Sequence, residues 1–219
     1  MVAAVVFDMD GVIVDSEQVW DEVREELVAD WGGRSLPEAQ RAMMGMSSPE
    51  WSRYMHDALG LPQEPQEIND EVVRRMLERY RTDLPLIDGA VAAVRELAAT
   101  YPLAVASSSN RPLIDAVLET AGIAECFAVT VSSEEVPRGK PSPDVYLESA
   151  RRLGVSPSNC AAVEDSANGI RAAKAAGMRV IAYPNRQYAP DAEALGLADV
   201  VIGALAELVA AVDEAPTTG

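Results

Sequence analysis

The chain has 219 residues and carries 18 Lys and Arg against 35 Asp and Glu, a net charge of -17. That balance offers no basic footprint for a phosphate backbone, which excludes nucleic-acid binding as the leading reading. Apolar residues make up 48%, ordinary for a soluble globular protein, and no apolar run approaches the roughly 20 residues of a membrane span.

The length suits one large domain, or one domain carrying a smaller insertion. Met1–Phe7 is apolar but lacks a basic leader, so it reads poorly as a signal peptide. Cys126 and Cys160 lie far apart without Cys-x-x-Cys spacing and read as two reduced thiols. The expectation is a cytoplasmic protein, monomeric or weakly dimeric, that binds neither nucleic acid nor membrane.

Val2–Phe7 is short, apolar and rich in β-branched residues, and predicts a buried strand ending at a polar loop. From Ser16 to about Arg81 helical spacing takes over, as in Val19, Val23 and Leu27, then Val72, Val73, Met76, Leu77 and Tyr80. Pro37, Pro49, Pro62 and Pro65 break this stretch, which predicts an all-helical insertion of short helices over 16–81. After Pro85 the pattern alternates. A helix over about Gly89–Ala99 precedes the apolar run Leu103–Ala106, and one over Pro112–Ala121 precedes Phe127–Val131. A helix over Asp144–Leu153 precedes Cys160–Val163, and one over Ala167–Ala176 precedes Val180–Tyr183. Val200–Ile202 and a helix over Leu205–Val212 come last. Such alternation predicts an α/β fold with a parallel, doubly wound sheet. Residues 1–15 and 82–219 would form the core and 16–81 the helical insertion.

In such a sheet ligands bind beyond the carboxyl ends of the strands, so the residues just after each apolar run are the candidates. Asp8 and Asp10 follow the first. An aspartate can attack phosphorus to form an acyl phosphate. A second carboxyl can protonate the leaving alcohol and then activate water. The alternative is an Asp-rich turn that caps the next helix. Glu164 and Asp165 follow another buried run. These carboxylates would repel Asp8 and Asp10 unless a cation such as Mg²⁺ joined them; equally, Asp165 and Ser166 could be N-caps. Ser107, Ser108, Ser109 and Asn110 could cradle a phosphate or cap a helix. Lys140, between Gly139 and Pro141, could neutralise phosphate or be solvated surface. All four clusters fall at strand ends or just before helices of one frame, and that agreement favours a site. Met43, Met44, Met46, Trp51, Tyr54 and His56 share roughly helical spacing and read mostly as core of the insertion. Substrate contacts are expected near Gly45, Met46 and Ser47, and at Asn110.

Four stretches resemble, in order, the motifs of haloacid dehalogenase-like phosphatases. They are Val5–Ser16, Ala106–Asn110, Gly139–Tyr146 and Val163–Ile170 leading to Ala172–Gly177. The resemblance spans nearly the whole chain and is nearest to the subgroup of β-phosphoglucomutase and small sugar-phosphate phosphatases. It implies a Rossmann-like core with an all-helical cap inserted after the first strand. It implies Asp8 as nucleophile and metal ligand, and Asp10 as general acid/base with its main-chain carbonyl on the metal. Ser107, Ser108 and Lys140 would hold phosphate. Asp165 would bind Mg²⁺, with Glu164 acting directly or through water. The substrate would be a small phosphorylated metabolite, such as a sugar phosphate.

Dehalogenases lack the second aspartate, present here as Asp10. A non-catalytic relative would be expected to have lost Asp8, Asp10 or Lys140. Mutases carry a cap histidine where Trp20 stands, and an arginine beside the loop Gly45–Pro49, where Arg53 is the nearest one. These departures favour hydrolysis over phosphomutase chemistry. No Gly-x-Ser-x-Gly elbow, Gly-x-Gly-x-x-Gly turn or nucleoside-triphosphate P-loop appears.

Overall fold

The computed structural model describes residues 1–43, 46–185 and 189–214. β1 (Ala4–Phe7) is buried along its whole length. Its side chains alternate between two apolar clusters, Val5 and Phe7 in one, Ala4 and Val6 in the other. This is the two-residue period of an extended strand covered on both faces.

Four helices follow before the next strand. They are α1 (Glu17–Asp30), α2 (Ala39–Met43), α3 (Ser48–Asp57) and α4 (Pro65–Thr82), with no strand among the described residues of 16–81. Pro49 and Pro65 sit in the first turns of α3 and α4, so two of the expected helix breakers are helix starters. Ser47 and Glu50 close a capping box on α3.

The remainder alternates: α5 (Ala90–Ala98), β2 (Leu103–Ser107), α6 (Arg111–Thr120), β3 (Phe127–Ser132), α7 (Asp144–Leu153), β4 (Cys160–Glu164), α8 (Ala167–Ala175), β5 (Arg179–Ala182), α9 (Ala192–Leu195), β6 (Val200–Val201) and α10 (Leu208–Asp213). The strands form one parallel sheet in the order β3-β2-β1-β4-β5-β6. The fold is therefore α/β, Rossmann-like and doubly wound. β2, β3 and β4 each run one polar residue past the predicted apolar run, to Ser107, Ser132 and Glu164. Main-chain pairing, not side-chain polarity, sets where a strand stops. α9 was not expected, because four residues are too few to show a helical period. Among the described residues, no helix is long and apolar enough to cross a membrane.

The order of strands reverses at β1, so β1 and β4 flank the switch point where doubly wound sheets bind ligands. The apolar layer beneath α7 and α8 is built largely from Ala and Val. Small side chains there let both helices lie close to the sheet.

Candidate active site

Asp8 is the first residue past β1. Its N–H donates to the Val163 carbonyl of β4 at 2.9 Å, which aims it at the switch point. Its Oδ1 lies 2.9 Å from Lys140 Nζ. The same Nζ lies 2.6 Å from Oε1 of Glu164, the last residue of β4, and the Tyr146 hydroxyl of α7 donates to that oxygen too. Glu164 Oε2 accepts from Asp165 N at 3.2 Å, Ser166 N at 3.4 Å and Ser166 Oγ at 3.2 Å. Glu164 is thus a fully engaged, fully buried carboxylate that holds Lys140 against Asp8.

Carboxylate oxygens of Asp8, Glu164 and Asp165 lie within 4.8 Å of one another. Gly11 makes the approach of Asp165 possible. Its φ is +77°, and a Cβ there would sit 1.9 Å from Asp165 Oδ2. Ionising all three carboxyls against the one ammonium would put a net charge of −2 in a buried site. The carboxyl groups respond as electrostatics requires. Burial, then Glu164, raises Asp8 to about 8 despite Lys140. Burial, then Asp8, pushes Asp165 well above the usual range. Burial pushes the Lys140 ammonium down, but Asp8 and Glu164 more than offset it and hold the group above its ordinary value. A dense cluster of oxygen donors without histidine or cysteine suits a hard divalent cation.

Asp10 is held separately. Its Oδ1 accepts from Ser16 Oγ at 2.5 Å and faces Trp20 Nε1 at 3.4 Å. Its Oδ2 accepts from Ser109 Oγ at 2.7 Å and Ser107 Oγ at 3.3 Å. Ser107 Oγ also accepts from Ser109 N at 3.0 Å, so the loop after β2 is folded around Asp10.

Glu164 leaves no room above it. A Cβ on Gly169 of α8 would sit 1.9 Å from its carboxylate. Gly169→Ala must therefore displace Glu164 or α8, and is expected to cost about 2–4 kcal/mol. Urea unfolding measures this; an unchanged midpoint would contradict the close packing of α8 on Glu164.

These groups open into a cavity of about 510 Å³, a size suited to a small metabolite. Asp8, Asp10, Ser108, Lys140 and Asp165 border it from the sheet edge, and Trp20, Arg24, Met46 and Trp51 from the helical segment. Of the other expected substrate contacts, Ser47 and Asn110 make bonds within the protein. Ser47 is committed to capping α3. The Asn110 amide donates to Asn69 Oδ1 at 3.0 Å and Glu134 Oε1 at 2.7 Å, tying the start of α6 to α4, and does not border the cavity. Gly45 lies outside the described residues. Asn110 is the N-cap residue of α6, but its side chain makes no capping bond; Ser166 does cap α8, accepting from Gly169 N.

Sequence reasoning missed Glu17 and Arg24 and placed Trp51 in a group read mostly as core. The available signal was the spacing of Glu17, Trp20 and Arg24, which places all three on one face of α1.

A doubly wound parallel sheet with an aspartate, a buried lysine and an acidic cluster at its switch point defines an α/β enzyme for phosphoryl chemistry. A family model described as haloacid dehalogenase-like hydrolase matches residues 2–177, and the chain belongs to that family. It is 35% identical to hexitol phosphatase B of Escherichia coli (strain K12), over 95% of each chain. It is 34% identical to fructose-1-phosphate phosphatase YqaB of the same organism, over 82% of this chain and 95% of that one. Its fold matches the crystal structure of CbbY from Rhodobacter sphaeroides in complex with phosphate, with a TM-score of 0.85 and 28% identity over 98% and 100% of the two chains. The enzyme is a phosphatase, a phosphoric monoester hydrolase.

Proposed function

We propose that the enzyme hydrolyses a sugar or sugar-alcohol monophosphate through a phospho-aspartyl intermediate on Asp8, with Mg²⁺ as its cofactor. The observation that carries this is the pairing at one cavity wall. Asp8 is pinned through Oδ1 by Lys140, while Asp10 stands in the same cavity on separate supports. The printed activities of the two curated relatives support the substrate class.

An Asp8 carboxylate oxygen attacks phosphorus while the bond from phosphorus to the ester oxygen breaks. Asp10, as the acid, gives its proton to the departing alkoxide. Asp10 then takes a proton from water, the water oxygen attacks phosphorus, and the Asp8 carboxylate leaves with its electron pair. Lys140 balances Asp8 and one phosphoryl oxygen, and the Ser108 hydroxyl and N–H, with the Ser107 hydroxyl turned from its 3.3 Å bond to Asp10, receive the others. Asp8 and Asp165, together with the Asp10 carbonyl, would hold Mg²⁺, because the oxygens of Glu164 are already engaged. When bound, Mg²⁺ supplies charge neutralisation for the phosphoryl group and aligns it for attack.

Residues 16–81 serve in this reading as a cap that keeps bulk water from the intermediate and chooses the substrate. The Arg24 variants described below test that choice. Phosphomutase chemistry is the competing reading. It would need a cap group holding Asp10 inactive until a sugar arrives. Trp20 Nε1 is a neutral donor 3.4 Å from Asp10 and carries no charge to do so. Inorganic phosphate is therefore the expected main product from a panel of sugar monophosphates. Conversion of β-glucose 1-phosphate, with a trace of the bisphosphate, to glucose 6-phosphate faster than any phosphate release would overturn the assignment.

A further inference from the structure

Asp8, Asp10, Lys140 and Asp165 line the cavity together with Glu17, Trp20 and Arg24, which share one face of α1. Along α1 that face runs roughly 10 Å. Trp20 meets Asp10. Farther out, Arg24 is only 6% exposed, and its guanidinium carbon lies 4.6 Å from the Trp20 ring and 5.0 Å from the Trp51 ring. The guanidinium rests in the angle between two indoles, a position that fixes its plane.

Its polar edge is poorly matched. Nη1 reaches Gln40 Oε1 only at 3.5 Å. Nε is buried without an acceptor, and no carboxylate among the described residues forms an ion pair with Arg24. Burial draws its pKa down to about 10, with Glu17 opposing, so the group stays cationic at neutral pH. A buried cation this short of acceptors gains from any ligand oxygen placed against it. Glu17 stands beside it, joined through Gln40, whose Nε2 donates to Glu17 Oε2 at 3.2 Å. Burial, then Asp10, raises the Glu17 carboxyl to about 7, so it can donate as well as accept.

A donor and a donor-acceptor side by side match a hydroxyl, which also does both. A second phosphate or carboxylate only accepts, and the ionised form of Glu17, which shares the population with the neutral acid near neutral pH, would repel it. Arg41 also borders the cavity but is exposed on α2, where solvent screens it. We propose that Arg24 and Glu17 form the specificity site for the non-reacting end of the substrate, and that they select a neutral, hydroxyl-bearing chain over a second anionic group. The proposal deepens the phosphatase reading and rests on it.

Three probes test it with Mg²⁺ present: sorbitol 6-phosphate, fructose 1,6-bisphosphate and phenyl phosphate, which has no hydroxyl chain. Wild-type enzyme should prefer sorbitol 6-phosphate to the bisphosphate in kcat/KM. In Arg24→Met the kcat/KM ratio of sorbitol 6-phosphate to phenyl phosphate should fall about 10- to 100-fold, chiefly through KM, as for a lost bond to a charged donor. Arg24→Lys keeps the charge without the planar fork and should lower the ratio in the same direction. Glu17→Gln should raise activity on the bisphosphate relative to sorbitol 6-phosphate several-fold. If Arg24→Met does not fold, the other two variants decide. Equal losses on sorbitol 6-phosphate and phenyl phosphate would make Arg24 a structural residue and overturn the proposal. So would a wild-type preference for the bisphosphate. Wild-type enzyme that cleaves none of the three would remove the phosphatase reading itself, an outcome distinct from an Arg24-independent ratio.

Discussion

Asp8→Asn is expected to lower phosphate release about 10⁴-fold or more, as removal of a covalent nucleophile does elsewhere. The reason is local. The amide keeps the shape of the side chain and still offers Lys140 an acceptor oxygen, but its nitrogen and oxygen are not competent to displace an alkoxide. The fold should tolerate the change. In the metal-free protein Asp8 is raised to about 8 by burial and by Glu164, so its charged form is disfavoured there. Removing that charge relieves repulsion from Glu164 and Asp165 while weakening the pairing with Lys140. Circular dichroism and thermal melting would establish that the variant is folded. Substantial turnover by the folded protein would rule out attack by Asp8.

Chelation should abolish activity and Mg²⁺ should restore it. Ca²⁺ should restore it poorly, because its larger and less regular oxygen shell misplaces the reacting groups. The same carboxyls predict a pH dependence with a definite sign. Asp8 moves from the usual 3.8 up to about 8, and Asp165 moves in the same direction. Between those values the metal-free folded state binds more protons than the unfolded chain. Its stability is therefore greatest below about pH 4 as far as these two groups go, and is lost as pH rises through about 8. Cation binding needs both groups ionised and releases their protons. The melting-temperature gain from Mg²⁺ should accordingly widen by several degrees from about pH 6 to about pH 9. A constant or shrinking gain, or full activity in excess chelator, would contradict the proposed metal site.

By itself the sequence determined the parallel sheet, because strands covered on both faces leave unbroken apolar runs such as Ala4–Phe7 and Cys160–Val163. It also brought Asp8 and Asp165 to one sheet edge, since each directly follows a strand and the two strands are neighbours, with Asp10 two residues beyond Asp8. Local chemistry placed the helix start at Asn110, but not its amide, which packing sends to Asn69 and Glu134. Only tertiary structure decided the rest. Lys140 read equally as loop surface until folding set its ammonium between Asp8 and Glu164. Glu164 read as a metal ligand, direct or through water, and only folding set its oxygens against Tyr146, Ser166 and Lys140 as well. Arg24 lay among the polar positions of a helix whose period marks only which residues share a face. Its burial depends on α1 meeting α3, which brings Trp51 against it. Periodicity reports one element at a time, whereas the partner of a buried charge is chosen by whichever distant segment packs over it.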